Sequence, residues 1–156
     1  THSTSSAASD VYKRQPYINP SNSKENKCEK GAYVVNLTSH ESNVTLVASG
    51  TEVELALKVQ DKLKENNIHS KVVSMPCMEL FDKQPEDYRK DILEENSLII
   101  TLEAGSVMSW QKYIKNKGAN LGIDKFGESA PYKEVYKHFK LSEEDITNFI
   151  QKKLRE

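Results

Sequence analysis

Residues 44–75 contain a strand, a helix and a second strand in succession, and this order constrains the fold more than any other feature. Residues 44–49 (VTLVAS) are almost continuously apolar, which is typical of a strand buried on both faces. Residues 71–75 (KVVSM) form a second β-prone run, which Pro76 ends. Because a strand–helix–strand unit joins parallel strands by a right-handed crossover, we predict a buried, mostly parallel sheet.

The segment between these two strands has the pattern of an amphipathic helix. Gly50 permits the turn out of the first strand, and the next four residues, TEVE, predict a capping box. In it the Thr51 hydroxyl accepts an early helix N–H and Glu54 reaches back to the cap. Apolar residues then recur at helical spacing, so we expect the helix to run to about Asn66.

The same alternation continues on both sides of this unit. Further strands are predicted at residues 31–35, 97–102 and 119–123, and helices at residues 78–83, 86–91, 107–114 and 132–139. Ser142 caps a last helix whose predicted buried stripe is Ile146, Phe149, Ile150 and Leu154. The pattern therefore predicts a three-layer α/β/α domain on a mostly parallel, mixed sheet of about five strands, with one antiparallel edge strand.

Residues 1–30 lack any apolar periodicity and are rich in Ser, Asn, Lys and Thr. Such a segment buries too little apolar surface to offset the entropy of ordering, so we expect it to be disordered or non-native. Residues 5–15 (SSAASDVYKRQ) resemble a translated sequencing adapter, with a natural low-complexity tail as the alternative. The predicted folded domain is therefore residues 31–156.

Charge and cysteine content exclude several function classes. The 22 basic and 23 acidic residues are interspersed, which leaves no basic patch for nucleic acid. No apolar run approaches the roughly 20 residues that span a bilayer, and no signal peptide is recognisable. Cys28 and Cys77 form neither a CxxC pair nor a metal-site spacing. We therefore expect a cytoplasmic protein with reduced thiols and no nucleic-acid or membrane partner.

The turn from Ser49 to Thr51 joins a buried strand to a helix N-terminus, the place where α/β folds bind phosphates. However, it has a single glycine, and Glu52 and Glu54 place carboxylates where an anion would sit. A plain capped turn is therefore favoured. The alternative is a free-standing domain that binds a phosphate or nucleotide at this turn.

Two carboxylates and one thiol are the remaining candidates for chemistry. Glu103 and Glu128 each neighbour a glycine and follow runs that should end at one edge of the sheet. They could act as acid and base, but no nucleophile or cofactor motif accompanies them, so loop hydrogen bonding or a subunit contact is favoured. Cys77 lacks a motif that supplies a base. We predict no catalytic, cofactor-binding or metal-binding residue in this chain.

Five stretches together are similar to transketolases, in the same order and with similar spacing. The stretches are ASGTEVELA (residues 48–56), VVSMP (72–76), FDKQ (81–84), EAG (103–105) and FGESAP (126–131). The resemblance as a whole extends over roughly residues 31–154, the folded part of the chain. The last of them disfavours the related pyruvate dehydrogenase and deoxyxylulose phosphate synthase domains. The chain thus resembles the C-terminal domain of a transketolase.

This resemblance implies a function for a larger enzyme. Transketolases transfer a two-carbon ketol unit between sugar phosphates in the pentose phosphate pathway, as homodimers that use thiamine diphosphate and a divalent metal, Mg or Ca. Their first two domains hold the cofactor, and their C-terminal domain is a structural module. The resemblance therefore implies a fragment that binds no cofactor, is inactive alone, and has the N-terminal and pyrimidine-binding domains of the same chain as partners.

The loops at the carboxyl ends of the strands are the expected contact with those domains or with a second subunit. They carry family-like, glycine-containing sequences in a chain without a catalytic set. The candidate contact residues are Glu103, Gly105, Phe126, Gly127, Glu128 and Ser129.

Overall fold

The computed structural model describes residues 26–39, 41–94, 96–114, 118–124 and 131–156. Within these ranges five strands form one sheet: β1 (Tyr33–Leu37), β2 (Val44–Ala48), β3 (Ser70–Ser74), β4 (Leu98–Glu103) and β5 (Ala119–Gly122). Their order is β1-β3-β2-β4-β5. Strand β1 is antiparallel to β3, and every other pairing is parallel. The predicted mixed sheet with an antiparallel edge strand is confirmed.

The helices cover both faces of this sheet. They are α1 (Glu52–Glu65), α2 (Met78–Asp82), α3 (Glu86–Leu93), α4 (Tyr132–His138) and α5 (Glu143–Lys153). Two 3-10 helices, Lys27–Lys30 and Met108–Tyr113, complete the elements. The second of them is the short helix predicted at residues 107–114, and it has 3-10 geometry. No helix in the described residues is long and apolar enough to cross a membrane.

Two apolar cores lie on opposite faces of the sheet. On one face Leu46, Val72 and Ile100 pack against α1 and α5. On the other face Val47 and Ile99 pack against α2, α3 and the second 3-10 helix. Neighbouring residues of one strand thus enter different cores, which explains the continuous apolar runs in the sequence.

The two predicted helix starts differ in their capping. Ser142 has an extended backbone, and its hydroxyl accepts a hydrogen bond from the Asp145 N–H at 3.2 Å, as predicted. Thr51 already has helical backbone angles (φ −67°, ψ −32°) and makes no side-chain cap. Since a capping side chain needs a non-helical backbone at that position, the predicted capping box was wrong. Glu54 forms instead an ion pair with Lys58 at 2.8 Å.

Two details at the chain ends refine the prediction. Leu154, expected in the buried stripe of α5, is 40% exposed. At the other end Gly31 has a φ of +81°, and an added Cβ would lie 2.3 Å from the Phe81 nitrogen and 2.4 Å from the Cys77 oxygen, so only glycine fits. Residues 1–25 lie outside the described residues, and the boundary at residue 31 stays a prediction.

Candidate functional site at the carboxyl ends of the strands

The parallel strands β2 and β4 bring two carboxylates to one edge of the sheet. Ala48 and Leu102 are paired across the strands, so the residues that follow them leave the sheet side by side. Glu103 is the last residue of β4, and Glu52 begins α1 after a short turn out of β2. The two carboxylates are close enough for the charge of Glu52 to raise the pKa of Glu103.

Glu52 is a buried carboxylate that is held by hydroxyl groups. Its side chain is only 7% exposed. Its Oε1 accepts a hydrogen bond from the Tyr136 hydroxyl at 2.7 Å and another from the Thr51 hydroxyl at 2.5 Å. Burial raises the pKa of Tyr136, and the neighbouring Glu52 carboxylate raises it further, so this phenol remains a proton donor at neutral pH.

Glu103 is half-buried and is held by an indole. Its Oε2 accepts a hydrogen bond from Trp110 Nε1 at 3.0 Å, and the Trp110 ring is buried in the core. Burial raises the pKa of Glu103, the indole hydrogen bond opposes that shift, and the charge of Glu52 adds to it. The carboxylate therefore resists ionisation more than a solvated glutamate does.

Neither carboxylate is neutralised by a cation. Among the described residues no Lys, Arg or His nitrogen lies within 4.0 Å of Glu52 or Glu103. The positive end of the α1 dipole faces Glu52, which is the first residue of that helix. Because this carboxylate already occupies the helix N-terminus, a phosphate at the Ser49 to Thr51 turn would meet a negative charge, and the alternative phosphate-binding role is not favoured.

The loop after β4 is fixed against the end of β5. The Gly105 carbonyl accepts a hydrogen bond from the Ile123 N–H at 2.8 Å, and the Val107 N–H donates to Asp124 Oδ1 at 3.2 Å. A Cβ on Gly122 would lie 2.3 Å from a methyl carbon of Val107, so the two segments are in direct contact. Gly105 and Glu103 thus belong to one ordered edge. Phe126, Gly127, Glu128 and Ser129 lie outside the described residues.

The thiol and the two histidines described next do not join Glu52 and Glu103 at this edge of the sheet. Cys77 is half-buried, and its thiol contacts Glu79 Oε2 at 3.5 Å. His69 and His138 are exposed. In the part of the chain that the structure describes, no three His, Cys, Asp or Glu side chains form a group that could hold a metal.

Sequence reasoning identified Glu103 but missed the groups that hold both carboxylates. Trp110 is buried in the core and donates its indole N–H to Glu103, a contact that the sequence pattern did not indicate. Tyr136 lies 84 residues from Glu52 along the chain, and no local pattern connects them. The signal that could have been used for Trp110 is chemical, because a buried indole N–H requires an acceptor.

Comparison with known proteins places this chain among enzymes of much greater length. The family model described as "Transketolase-like TK C-terminal domain" matches residues 31–142. The chain is 39% identical over 125 residues to a transketolase of Bacillus subtilis, covering 79% of this chain and 19% of that protein. It is 38% identical over 120 residues to a chloroplastic transketolase of Solanum tuberosum, covering 75% of this chain and 16% of that protein.

Solved structures agree with the sequence comparison. A transketolase from Leishmania mexicana superposes with a TM-score of 0.73 at 35% identity, over 81% of this chain and 18% of that one. A split-gene transketolase, described as an inactive β4 tetramer, shares the fold with a TM-score of 0.65 at 23% identity, over 90% of this chain and 46% of that one. The chain therefore spans less than a fifth of the length of the curated relatives quoted above.

Proposed function

The chain belongs to the transketolase family, whose C-terminal domain it matches, and from this premise we propose that it is the structural and contact domain of such an enzyme. The complete enzyme transfers a two-carbon ketol unit between sugar phosphates in the pentose phosphate pathway. It uses thiamine diphosphate and a divalent metal, Mg or Ca, both held by its other two domains. This domain packs on those domains and on the second subunit of a cytoplasmic homodimer.

The observation that carries the contact role is the pair of carboxylates without a cation at the carboxyl-end edge. Glu52 is buried, Glu103 is half-buried, and neither has a cationic partner within the described residues. Charges withdrawn from water are normally paired, so an edge of this kind is suited to meet a cationic side chain of another domain or subunit. The loop that carries Gly105 is held in place by the hydrogen bond from the Ile123 N–H to the Gly105 carbonyl.

The same role extends to the segment that contains Phe126, Gly127, Glu128 and Ser129, which follows β5 in the sequence. We expect the 156-residue chain to be inactive by itself. The description of the split-gene relative with this fold as an inactive tetramer supports this expectation. The contact domain begins at residue 31, and the start of the family match at the same residue supports this boundary.

A chimeric enzyme tests the contact role. Residues 31–156 replace the matching C-terminal domain of the full-length Bacillus subtilis transketolase, and Glu103→Lys is introduced into the chimera. We expect charge reversal at this edge to weaken the dimer or the docking of the domain and to lower ketol transfer at least about tenfold. A tenfold loss corresponds to roughly 1.4 kcal/mol of lost contact free energy. Sedimentation velocity and turnover of sugar phosphates measure the two effects.

The matched control is Glu41→Lys, which reverses an exposed carboxylate just before β2, at the opposite ends of the strands. It should leave dimerisation and turnover unchanged. If Glu103→Lys combined with alanine at residues 126–129 behaved like this control, the edge would not be a contact surface.

A further inference from the structure

A cavity of about 300 Å³ lies between α2, α3 and the second 3-10 helix, away from the carboxylate pair. Its wall is largely apolar and includes Phe81, Leu93, Ile99 and the ring of Tyr113. Phe81 and Tyr113 have ring centroids 5.9 Å apart, so they form one aromatic surface. This volume is at the lower end of the range for small-molecule sites, which are mostly apolar with a few polar groups.

Two of the cations that line the cavity are neutralised by carboxylates. Lys112 forms an ion pair with Asp82, which also accepts a hydrogen bond from the Tyr113 hydroxyl at 2.9 Å. Burial acts to raise the pKa of Asp82, but these two hydrogen bonds hold it below its usual value, so the pair is ionised at neutral pH. Lys90 pairs with Glu86 at 2.7 Å on the exposed side of α3.

Arg89 is the cation of the cavity that has no such partner. Within the described residues no carboxylate oxygen lies within 4.0 Å of its guanidinium. Its Nε is buried and makes no hydrogen bond to any described residue. A buried donor without an acceptor is costly and uncommon in folded proteins, and the described residues give this guanidinium no hydrogen-bond partner.

We propose that this cavity binds a small carboxylate with an apolar body, with the carboxylate on Arg89 and the body against Phe81 and Tyr113. A guanidinium is planar and presents parallel N–H groups that match the two oxygens of a carboxylate. The charge of Arg89 also acts on Asp82, but the lining holds three cations against two carboxylates, and this excess of positive charge favours an anion.

Benzoate is the probe, because it combines a carboxylate with a flat apolar ring. The 156-residue chain is titrated with benzoate and, separately, with the neutral isostere benzamide, and binding is followed by calorimetry and by NMR shifts. We expect saturable binding of one benzoate per chain. Arg89→Met should weaken it about tenfold or more, the loss expected for a charge-assisted hydrogen bond. Lys58→Met removes an exposed paired cation on α1, outside the cavity, and should leave benzoate binding unchanged.

Three results would overturn the proposal: no saturable binding to the unmodified chain, equal binding by Arg89→Met, or equal binding of benzamide. Circular dichroism verifies that Arg89→Met is folded. If it is not folded, Arg89→Lys replaces it, since lysine keeps the charge but not the planar fork. Benzoate should then bind Arg89→Lys several-fold more weakly, with NMR shifts at Phe81 and Ile99, and unchanged affinity would contradict the proposal.

Discussion

The carboxylates that are shielded from water at the two ends of the parallel strands have different kinds of partners. At the amino ends, Glu94 accepts hydrogen bonds from Lys71 Nζ at 2.9 Å and from the Ser42 N–H at 2.8 Å. At the carboxyl ends, Glu52 and Glu103 receive only hydroxyl and indole donors and no cation from the described residues. Within the described residues Glu94 therefore has a cationic partner, whereas Glu52 and Glu103 have none.

This difference supports the proposed contact role of the carboxyl-end edge. Lys71 is buried in β3 and donates a further hydrogen bond to the Asp91 carbonyl at 2.7 Å, so the withdrawn charges of Lys71 and Glu94 are partners of each other. At the carboxyl-end edge the described residues provide no cation for Glu52 or Glu103. Such an edge can be stabilised by a partner, which is why the contact role is assigned there and not to Glu94.

Removing the buried cation should have the largest effect. Lys71→Met leaves Glu94, whose side chain is 23% exposed, with only the Ser42 N–H as a donor. Breaking a buried ion pair from one side costs about 3 kcal/mol at the low end of its range, which suits a partly solvated partner. Urea unfolding, followed by the fluorescence of Trp110, the single tryptophan, measures the free energy of unfolding.

Two further variants identify the cause of that loss. Lys90→Met removes an exposed ion pair on α3 and should cost no more than about 0.5 kcal/mol. Adding Glu94→Leu to Lys71→Met removes the stranded charge and should recover most of the stability. If the double variant were as unstable as Lys71→Met, lost packing of the lysine stem and not the unpaired carboxylate would be responsible.

An intermediate effect is expected at the carboxyl-end edge. Tyr136→Phe removes one of the two hydroxyl donors to the buried Glu52 carboxylate, and a hydrogen bond to a charged group contributes about 1.5 kcal/mol. The loss is smaller than for Lys71 because the Thr51 hydroxyl remains. Tyr33→Phe on the half-exposed edge strand is the control and should change the unfolding free energy by less than about 0.5 kcal/mol. Equal losses of unfolding free energy in both variants would show that the Tyr136 hydroxyl does not stabilise the Glu52 carboxylate.

The sequence was sufficient for the fold but not for this polar arrangement. Apolar runs such as residues 44–49 predict strands because burial on both faces is a local property of each run. The pairing of Glu52 with Tyr136, or of Lys71 with Glu94, depends on which helices the finished sheet brings to each edge. The failed capping box at Thr51 has the same origin, since the backbone angle that decides it is set by the packing of α1.

The smallest effect concerns the titration of Glu103. Its pKa is raised in the folded chain, mainly by burial, so its neutral form is favoured by folding. The corresponding stability is complete below the unfolded value of 4.5 and is lost as the pH rises through the folded pKa. Glu103→Gln stays neutral and keeps an oxygen for the Trp110 N–H, so it should be as stable as the parent at pH 4 and more stable at pH 7.

The gain at pH 7 should not exceed about 0.5 kcal/mol, because solvent reaches this half-exposed carboxylate and screens it. Glu54→Gln is the matched control, since Glu54 lies on the same helix start but pairs with Lys58. It should lose about 0.3 kcal/mol at pH 7, the opposite sign, because an exposed ion pair is removed. The urea unfolding midpoints of both variants and of the parent chain, measured at pH 4 and pH 7, give the sign of each stability change. A loss for Glu103→Gln at pH 7 would mean that its negative charge is already compensated within the chain, and the carboxyl-end edge would then be as complete as the amino-end edge.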